Sequence, residues 1–154
     1  MFKDEILSFY DYDAIEDLLK AKYNKFGSRV FNVLAEPLMV FAGSFNEKAY
    51  ILPVDDNIKK GFSHTAILAK AMHTKTLKPL FSSLKAQNHV QYAGKSLEFR
   101  LKNPKNFKYT GPKGIDVILV DDIVTTKTTL NQAREVLKKS GVNVLFSVVL
   151  ARRG

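Results

Sequence analysis

Cysteine is absent from the 154-residue chain. Its absence excludes disulfide bonds and any zinc site with thiolate ligands. The three histidines, His64, His73 and His89, do not have the close spacing of metal ligands. Long apolar runs are missing too, and the first five residues do not resemble a signal peptide. We therefore expect a cytoplasmic protein that does not insert into a membrane.

Acidic residues are scarce in the middle third of the chain. Residues 59–113 hold twelve Lys and Arg and a single acid, Glu98, which gives this part a net charge of +11. By contrast, residues 1–58 carry −4 and residues 114–154 carry +2, and the three parts give the total of +9. A basic stretch of this kind either attracts polyanions or phosphorylated ligands, or is a solvated surface without a ligand.

The composition is otherwise that of an ordinary globular protein. Apolar residues make up 45% and charged residues 25% of the chain, and no internal repeat divides it. The sequence therefore predicts a single domain over 1–154, long enough to bury a hydrophobic core.

One segment near the end, Val117–Thr129 (VILVDDIVTTKTT), combines features of a binding site. Its four leading apolar residues do not alternate with polar ones, as expected for a buried strand of a parallel sheet. Two acids, Asp121 and Asp122, come next. After two more apolar residues there are four threonines, interrupted only by Lys127.

The order of strand, acids, hydroxyl loop and helix suits a sugar phosphate. Unpaired backbone N–H groups and the helix dipole favour an anion at a helix N-terminus, and threonine hydroxyls add donors. Carboxylates just upstream accept hydrogen bonds from vicinal sugar hydroxyls or hold a hydrated cation. The segment therefore predicts a ligand that carries ribose 5-phosphate. The alternative is an ordinary strand–turn–helix with Thr128 or Thr129 as the N-cap.

The stretch VILVDDIVTTKTTL resembles the phosphoribosyl-pyrophosphate (PRPP) motif of type I phosphoribosyltransferases. Within that superfamily the chain resembles the ComF family of competence proteins, with Lys127 in place of the motif's glycine. The resemblance implies an α/β fold of the type I phosphoribosyltransferase kind, with a doubly wound, mainly parallel sheet flanked by helices. ComF proteins usually carry a four-cysteine zinc module before this domain, and we expect this cysteine-free chain to lack it.

Two further stretches extend the resemblance. Lys60-Gly61-Phe62 resembles the family's R-G-F element, and Ser63 and His64 replace the Asn and Gln that follow it. Four residues resemble fixed points of a mobile flap over the active site, and residues 85–113 are therefore predicted to form a basic flap or hood. These four residues are Gln91, Arg100, Asn103 and Phe107.

Hydrophobic periodicity places the main elements of the chain. Strands are predicted over 49–54, 117–120 and 143–151, and helices over 28–42, after the N-caps Asp13 and Ser63, and from Thr129 to a C-cap at Gly141. One more apolar face is predicted from the spacing of Leu77, Leu80, Phe81 and Leu84. Ligands of doubly wound sheets bind at the carboxyl ends of the strands, where the two acids fall.

The resemblance implies that the protein binds PRPP together with Mg²⁺, which would meet the protein through the ligand and water near the two acids. The residues predicted to hold PRPP are Asp121, Asp122, Thr125, Thr126, Lys127, Thr128, Thr129, Lys60 and Gly61. No catalytic residue is predicted, because the sequence shows no pocket for an acceptor. An active transferase that moves ribose 5-phosphate from PRPP to an unknown acceptor is the alternative function.

Basic residues interleaved with aromatic ones in the flap also suit single-stranded DNA, since bases stack on rings and phosphates meet Lys and Arg. The residues predicted to bind it are Lys95, Arg100, Lys102, Lys105 and Lys108. The ComF resemblance implies a role in natural transformation and DNA uptake, with other competence proteins, such as a DNA-uptake helicase, as partners. Two alternatives are open. The flap has no ligand of its own, or its Arg100, like Lys60, meets the diphosphate of PRPP.

Overall fold

The computed structural model describes residues 5–20, 27–58 and 62–153. Two residues predicted to hold PRPP, Lys60 and Gly61, lie outside the described residues. The elements, in chain order, are β1 (Ile6–Asp11), α1 (Tyr12–Leu19), α2 (Gly27–Leu34), α3 (Glu36–Ser44), β2 (Ala49–Pro53), α4 (His64–Ala71), β3 (Leu77–Pro79), β4 (Leu84–Ala86), α5 (Leu97–Lys102), β5 (Phe107–Tyr109), β6 (Asp116–Val124), α6 (Thr128–Lys139) and β7 (Asn143–Arg152).

Five of these strands form one sheet in the order β1-β7-β6-β2-β3, and every neighbouring pair in it is parallel. The remaining two, β4 and β5, pair antiparallel in a small second sheet. Parallel strands need crossover connections, which the intervening helices supply. The predicted mainly parallel sheet is confirmed.

Hydrophobic cores lie on both faces of the large sheet. On one face, α1 to α4 pack against the strands around Phe31, Leu38 and Leu68. On the other face, α6 and the small β4–β5 sheet pack around Leu84 and Leu137. Because helices cover both faces, the predicted doubly wound α/β architecture is confirmed.

The central strand β6 is longer than the predicted 117–120. Its first apolar residues, Val117–Val120, are fully buried, as their lack of alternation predicts. The strand then continues to Val124, because β7 keeps pairing with it and Asp121 lies opposite Val149. The acids are therefore inside the strand, and the strand ends two residues after them.

Two helix predictions need correction. The first helix is capped by Asp11, two residues before the predicted Asp13, and Asp11 makes no side-chain cap bond. The predicted helix over 28–42 is two helices, α2 and α3, which meet at Ala35. Pro37 lies in the first turn of α3, where backbone N–H groups have no partner within the helix, so proline is tolerated there.

The apolar face predicted from Leu77 to Leu84 does not exist as one surface. Leu77 belongs to β3 and Leu84 to β4, and the two side chains are buried in different cores. Phe81 is 46% exposed. The spacing suggested a helix-like face, but backbone pairing of β3 with β2 and of β4 with β5 determined the conformation instead.

The predicted N-cap of α4 is confirmed, because the Ser63 hydroxyl accepts a 3.2 Å hydrogen bond from the N–H of Ala66. The C-cap of α6 is Ser140, one residue before the predicted Gly141. Gly141 follows with a φ of +78°, the left-handed conformation that glycine adopts without strain.

Residues 85–113, called the hood below, contain the end of β4, all of α5 and all of β5. The hood packs along α6, and Phe107 is buried in the core on that face of the sheet. None of the described helices has the length and apolar character needed to cross a membrane.

Candidate functional site

A cleft of about 700 Å³ opens at the carboxyl ends of the central strands. Its floor consists of Val54 and Asp55 after β2 and of the segment 121–130, which runs from β6 into α6. Residues 88–94 of the hood form one wall, and Arg153, after β7, completes the rim. This is the position where open parallel sheets bind their ligands.

Asp121 and Asp122, called the acidic pair below, lie in the floor of the cleft and are only 8% and 7% exposed. Each side chain accepts a hydrogen bond from the next backbone N–H. Asp121 Oδ1 accepts from Asp122 at 2.8 Å, and Asp122 Oδ1 accepts from Ile123 at 2.9 Å. The carboxylates are thereby fixed against the strand that carries them.

The two carboxylates differ in their surroundings. Burial raises the pKa of Asp121 well above its ordinary value, the nearby Asp122 carboxylate raises it further, and Lys105 of the hood acts in the opposite direction. Asp122 Oδ2 lies 3.4 Å from Nε2 of His64, the first residue of α4. Such a pair of buried acids at a strand end suits the recognition of neighbouring hydroxyl groups, which can donate to carboxylate oxygens.

The residues after β6, 125–129, form the threonine loop. Lys127 has a φ of +63° and a ψ of 2°, the left-handed conformation, and it is the N-cap of α6 without a side-chain cap bond. Therefore neither threonine of the alternative prediction, Thr128 nor Thr129, is the N-cap. The first N–H groups of α6 have no partner within the helix, so the loop presents donors to the cleft beside the acidic pair.

Arg100 joins the hood to the threonine loop. Its Nη1 donates hydrogen bonds of 2.7 Å to the Thr125 hydroxyl and 2.8 Å to the Thr126 hydroxyl. Its Nη2 donates to the backbone oxygen of Tyr92 at 3.2 Å, and the guanidinium carbon lies 5.6 Å from the centre of the Tyr92 ring. Arg100 therefore points into the cleft.

Lys105 is held on the same wall. Its Nζ lies 4.7 Å from the centre of the Tyr92 ring, and its backbone N–H donates to Gln132 Oε1 of α6 at 3.0 Å. Gln132 Nε2 in turn donates to the Tyr92 hydroxyl at 3.3 Å. These contacts fix the hood against α6 and place two cations, Arg100 and Lys105, at the cleft.

The other three residues predicted to bind DNA face solvent. Lys95, Lys102 and Lys108 are exposed on the hood. Lys95 Nζ lies 5.1 Å from the centre of the Phe99 ring, and Lys102 forms a 2.8 Å ion pair with Glu98. The structure thus divides the predicted set into a cleft group and a surface group.

Within the described residues, the fold brings together every predicted member of the acidic pair and the threonine loop. Sequence reasoning assigned no role to Gln132 or Arg153, included Tyr92 only among the aromatic residues of the flap, and identified His64 only as a replacement for the Gln that follows the family's R-G-F element. His64 had a visible signal, since it directly follows the Lys60-Gly61-Phe62-Ser63 stretch. Tyr92 and Gln132 had none, because their roles depend on how the hood packs on α6.

The described parts of the chain contain no group of three or more His, Cys, Asp or Glu side chains that could hold a metal ion. A Mg²⁺ ion that keeps several of its waters and arrives on a phosphorylated ligand needs only one or two carboxylates from the protein. The acidic pair fits that requirement.

No protein-family profile and no curated protein matches the sequence. Solved structures with a similar fold include type I phosphoribosyltransferases. A hypoxanthine phosphoribosyltransferase from Staphylococcus aureus is 18% identical with a TM-score of 0.48, covering 81% of this chain and 64% of that one. Adenine phosphoribosyltransferase from Saccharomyces cerevisiae is 18% identical with a TM-score of 0.48, covering 84% and 70%.

Orotate phosphoribosyltransferase from Aeropyrum pernix is 22% identical with a TM-score of 0.45, covering 91% of this chain and 65% of that one. The chain thus spans less than two thirds of the length of the Staphylococcus and Aeropyrum structures. At this level of identity the similarity concerns the fold alone. The narrower resemblance to the ComF family remains a prediction.

Proposed function

We propose that the protein binds PRPP with Mg²⁺ in the cleft. The observation that carries this proposal is the direct succession of a buried acidic pair and a donor-rich loop on one strand–helix connection. Asp121 and Asp122 accept hydrogen bonds from the ribose hydroxyls. The 5-phosphate lies in the threonine loop and takes its donors from Thr125, Thr126, Lys127, Thr128 and Thr129.

The cleft has the size and charge that this ligand needs. Its volume of about 700 Å³ falls in the usual range of roughly 300–1,000 Å³ for small-molecule sites. Arg100, Lys105 and Arg153 line it and oppose the negative charge of a phosphorylated ligand. Lys60, predicted to meet the diphosphate, and Gly61, predicted to hold PRPP, lie between β2 and α4 but outside the described residues.

Mg²⁺ neutralises the diphosphate when it is bound. The protein's own part is to orient the sugar, through the acidic pair, and to fix the phosphate, through the loop. The acids are rigid in this role because their backbone hydrogen bonds hold them against β6. Positioning of this kind would also leave the C1 carbon accessible if an acceptor forms a bond to it as the bond to pyrophosphate breaks.

Calorimetry tests the proposal. PRPP with Mg²⁺ should bind the wild-type protein in one saturable process, and Asp121→Asn or Asp122→Asn should weaken it at least tenfold. Asp116→Asn is the matched control, because Asp116 is an exposed acid at the opposite end of the same strand. The proposal fails if wild-type protein gives no binding heat, or if all three variants bind alike.

A second proposed function is binding of single-stranded DNA on the exposed face of the hood. Lys95, Lys102 and Lys108 are presented to solvent there, within the part of the chain that carries +11. This surface and the ComF resemblance together support a cytoplasmic role in natural transformation, alongside competence proteins such as a DNA-uptake helicase. Arg100 and Lys105 face the cleft and contribute less to this surface than their positions in the sequence predict.

Transfer of ribose 5-phosphate to an acceptor is the alternative to binding alone. It requires an acceptor to approach C1 from the open side of the cleft, past residues 88–94 of the hood. Release of pyrophosphate from PRPP when a nucleobase is added distinguishes the two. A protein that binds PRPP without transferring its ribose 5-phosphate should release no pyrophosphate with any acceptor.

A further inference from the structure

The contact between Arg100 and the threonine loop determines which way the loop's hydroxyls can point. A guanidinium carries only donors, so the Thr125 and Thr126 oxygens must both accept from Nη1. Each hydroxyl therefore keeps its own hydrogen for another acceptor. The Thr126 and Thr128 oxygens lie 2.9 Å apart, and one of the two hydroxyls donates to the other.

The three hydroxyls together still have hydrogens to donate. Whichever way the Thr126–Thr128 bond runs, it uses one hydrogen, and two of the three remain. Arginine thus turns a set of hydroxyls that can either donate or accept into a set that mainly donates. A phosphate group, which only accepts when fully ionised, is the matching ligand.

Arg100 is itself held in place. The Tyr92 hydroxyl shares its single hydrogen between the backbone oxygens of Asn103 at 2.7 Å and Arg100 at 3.1 Å, while Arg100 Nη2 donates to the Tyr92 backbone oxygen. The Tyr92 hydroxyl is also tied to α6 through Gln132. The guanidinium is therefore fixed before a ligand arrives, which reduces the entropy cost of ordering it on binding.

We propose that Arg100 is a positioning residue for the 5-phosphate. It acts through Thr125 and Thr126, whose hydroxyls it orients as donors, and it adds a positive charge at the loop. The inference rests on the proposed function, since it names the residue that makes the threonine loop selective for a phosphate. It also assigns Arg100 to the 5-phosphate end of the ligand, which differs from the diphosphate and DNA roles that the sequence predicts.

The test uses ribose 5-phosphate as the probe, because it lacks the diphosphate, and measures its affinity by calorimetry. Arg100→Gln removes the charge and introduces a side-chain oxygen that can accept hydrogen bonds from the threonine hydroxyls, so we expect at least a tenfold loss of affinity for ribose 5-phosphate. Arg100→Lys keeps a donor-only cation without the planar fork, so we expect it to recover most of that loss. Lys113→Gln removes the same charge from an exposed part of the hood outside the cleft and should bind as the wild type does.

The result that overturns the inference is an Arg100→Gln protein that binds ribose 5-phosphate as tightly as Lys113→Gln does. Equal losses in Arg100→Gln and Arg100→Lys overturn it as well, because a merely structural contact would be damaged by both. If Arg100→Gln does not fold, Arg100→Lys is compared with Lys113→Gln instead, and a loss of tenfold or more in Arg100→Lys, which keeps a donor-only cation, contradicts the proposal. A wild-type protein that does not bind the probe at all refutes the proposed function itself.

Discussion

The backbone N–H of Asp122 donates a 2.8 Å hydrogen bond to Oδ1 of Asp121, and this fixes the Asp121 carboxylate against a buried strand that carries a second acid at the next position. Such an arrangement is unfavourable for folding unless one acid keeps its proton, because both burial and the neighbouring charge oppose ionisation. The pKa of Asp121 is raised for these two reasons, in that order. The acidic pair thus has a cost in stability that its proposed role in binding explains.

The destabilising effect of the buried acidic pair should depend on pH. Because the pKa of Asp121 is higher in the folded protein than in the unfolded chain, its contribution to stability is fully present below the unfolded pKa. The contribution is lost as the pH rises through the folded pKa. Asp121→Asn should therefore match the wild type in melting temperature near pH 4 and exceed it by a few degrees at pH 8, since 1 kcal/mol corresponds to about 2–4 °C in a domain of this size.

Other charged or titratable groups lie around Asp121: its neighbour Asp122, Lys105 of the hood, and His64, which lies beside Asp122. The measurement is thermal unfolding of both proteins across that pH range. Asp116→Asn again serves as the control, because this exposed acid should show no such growth in the difference. A melting temperature of Asp121→Asn below that of the wild type at pH 8 would contradict the account.

The second prediction concerns Lys127, which has a φ of +63°. A left-handed conformation costs a non-glycine residue about 1–2 kcal/mol, and replacing lysine by glycine removes this strain. Glycine also has more conformational freedom in the unfolded chain, which reduces the gain in stability by roughly 0.4–1 kcal/mol. Lys127→Gly should therefore raise the free energy of unfolding by about 1 kcal/mol or less, as measured by urea denaturation.

Lys127→Gly should change the affinity for PRPP by less than tenfold, because the lysine already adopts the conformation that the loop requires. Lys127→Ala is the control, since it removes the ammonium and keeps the backbone strain. A gain in affinity well above tenfold on reverting to glycine would show instead that the lysine impairs the site.

The third prediction concerns the exposed face of the hood. Lys95→Glu combined with Lys102→Glu should weaken binding of single-stranded DNA and lower the salt slope by about 0.7 for each phosphate that the protein no longer neutralises. PRPP affinity should not change, because neither lysine lines the cleft. Gel-shift titrations at several salt concentrations provide the measurement.

Lys138→Glu with Lys139→Glu is the matched control, since it makes the same change in charge at the far end of α6. Equal loss of DNA affinity in the two double variants would mean that net charge alone, and not the hood surface, attracts DNA. Unchanged DNA affinity in the hood variant would contradict the prediction directly.

Much of the fold could be predicted because its central strands carry an unambiguous pattern. Val117–Val120 is a continuous apolar run and β7 is apolar from Val144 to Ala151 except for Ser147, a pattern typical of strands buried on both faces. The same pattern predicted the wrong end for β6, which continues to Val124. The acids look like a strand terminus in sequence, but pairing with β7 keeps Asp121 and Asp122 in the sheet.

The threonine loop and the acidic pair were predictable because they are contiguous in sequence. The roles of Arg100 and Tyr92 were not, since they depend on contacts between the hood and α6 that are distant along the chain. A basic residue among aromatic ones has the same sequence pattern whether it faces DNA or a cleft. Only packing separates Arg100 from Lys102, which lies two residues away.

The most direct test of the central claim is a crystal structure of the protein with PRPP and Mg²⁺. The account predicts the 5-phosphate within hydrogen-bonding distance of the N–H groups and hydroxyls of the threonine loop. It also predicts the ribose hydroxyls on the carboxylates of Asp121 and Asp122. An empty cleft at saturating PRPP, or PRPP bound elsewhere on the protein, would contradict it.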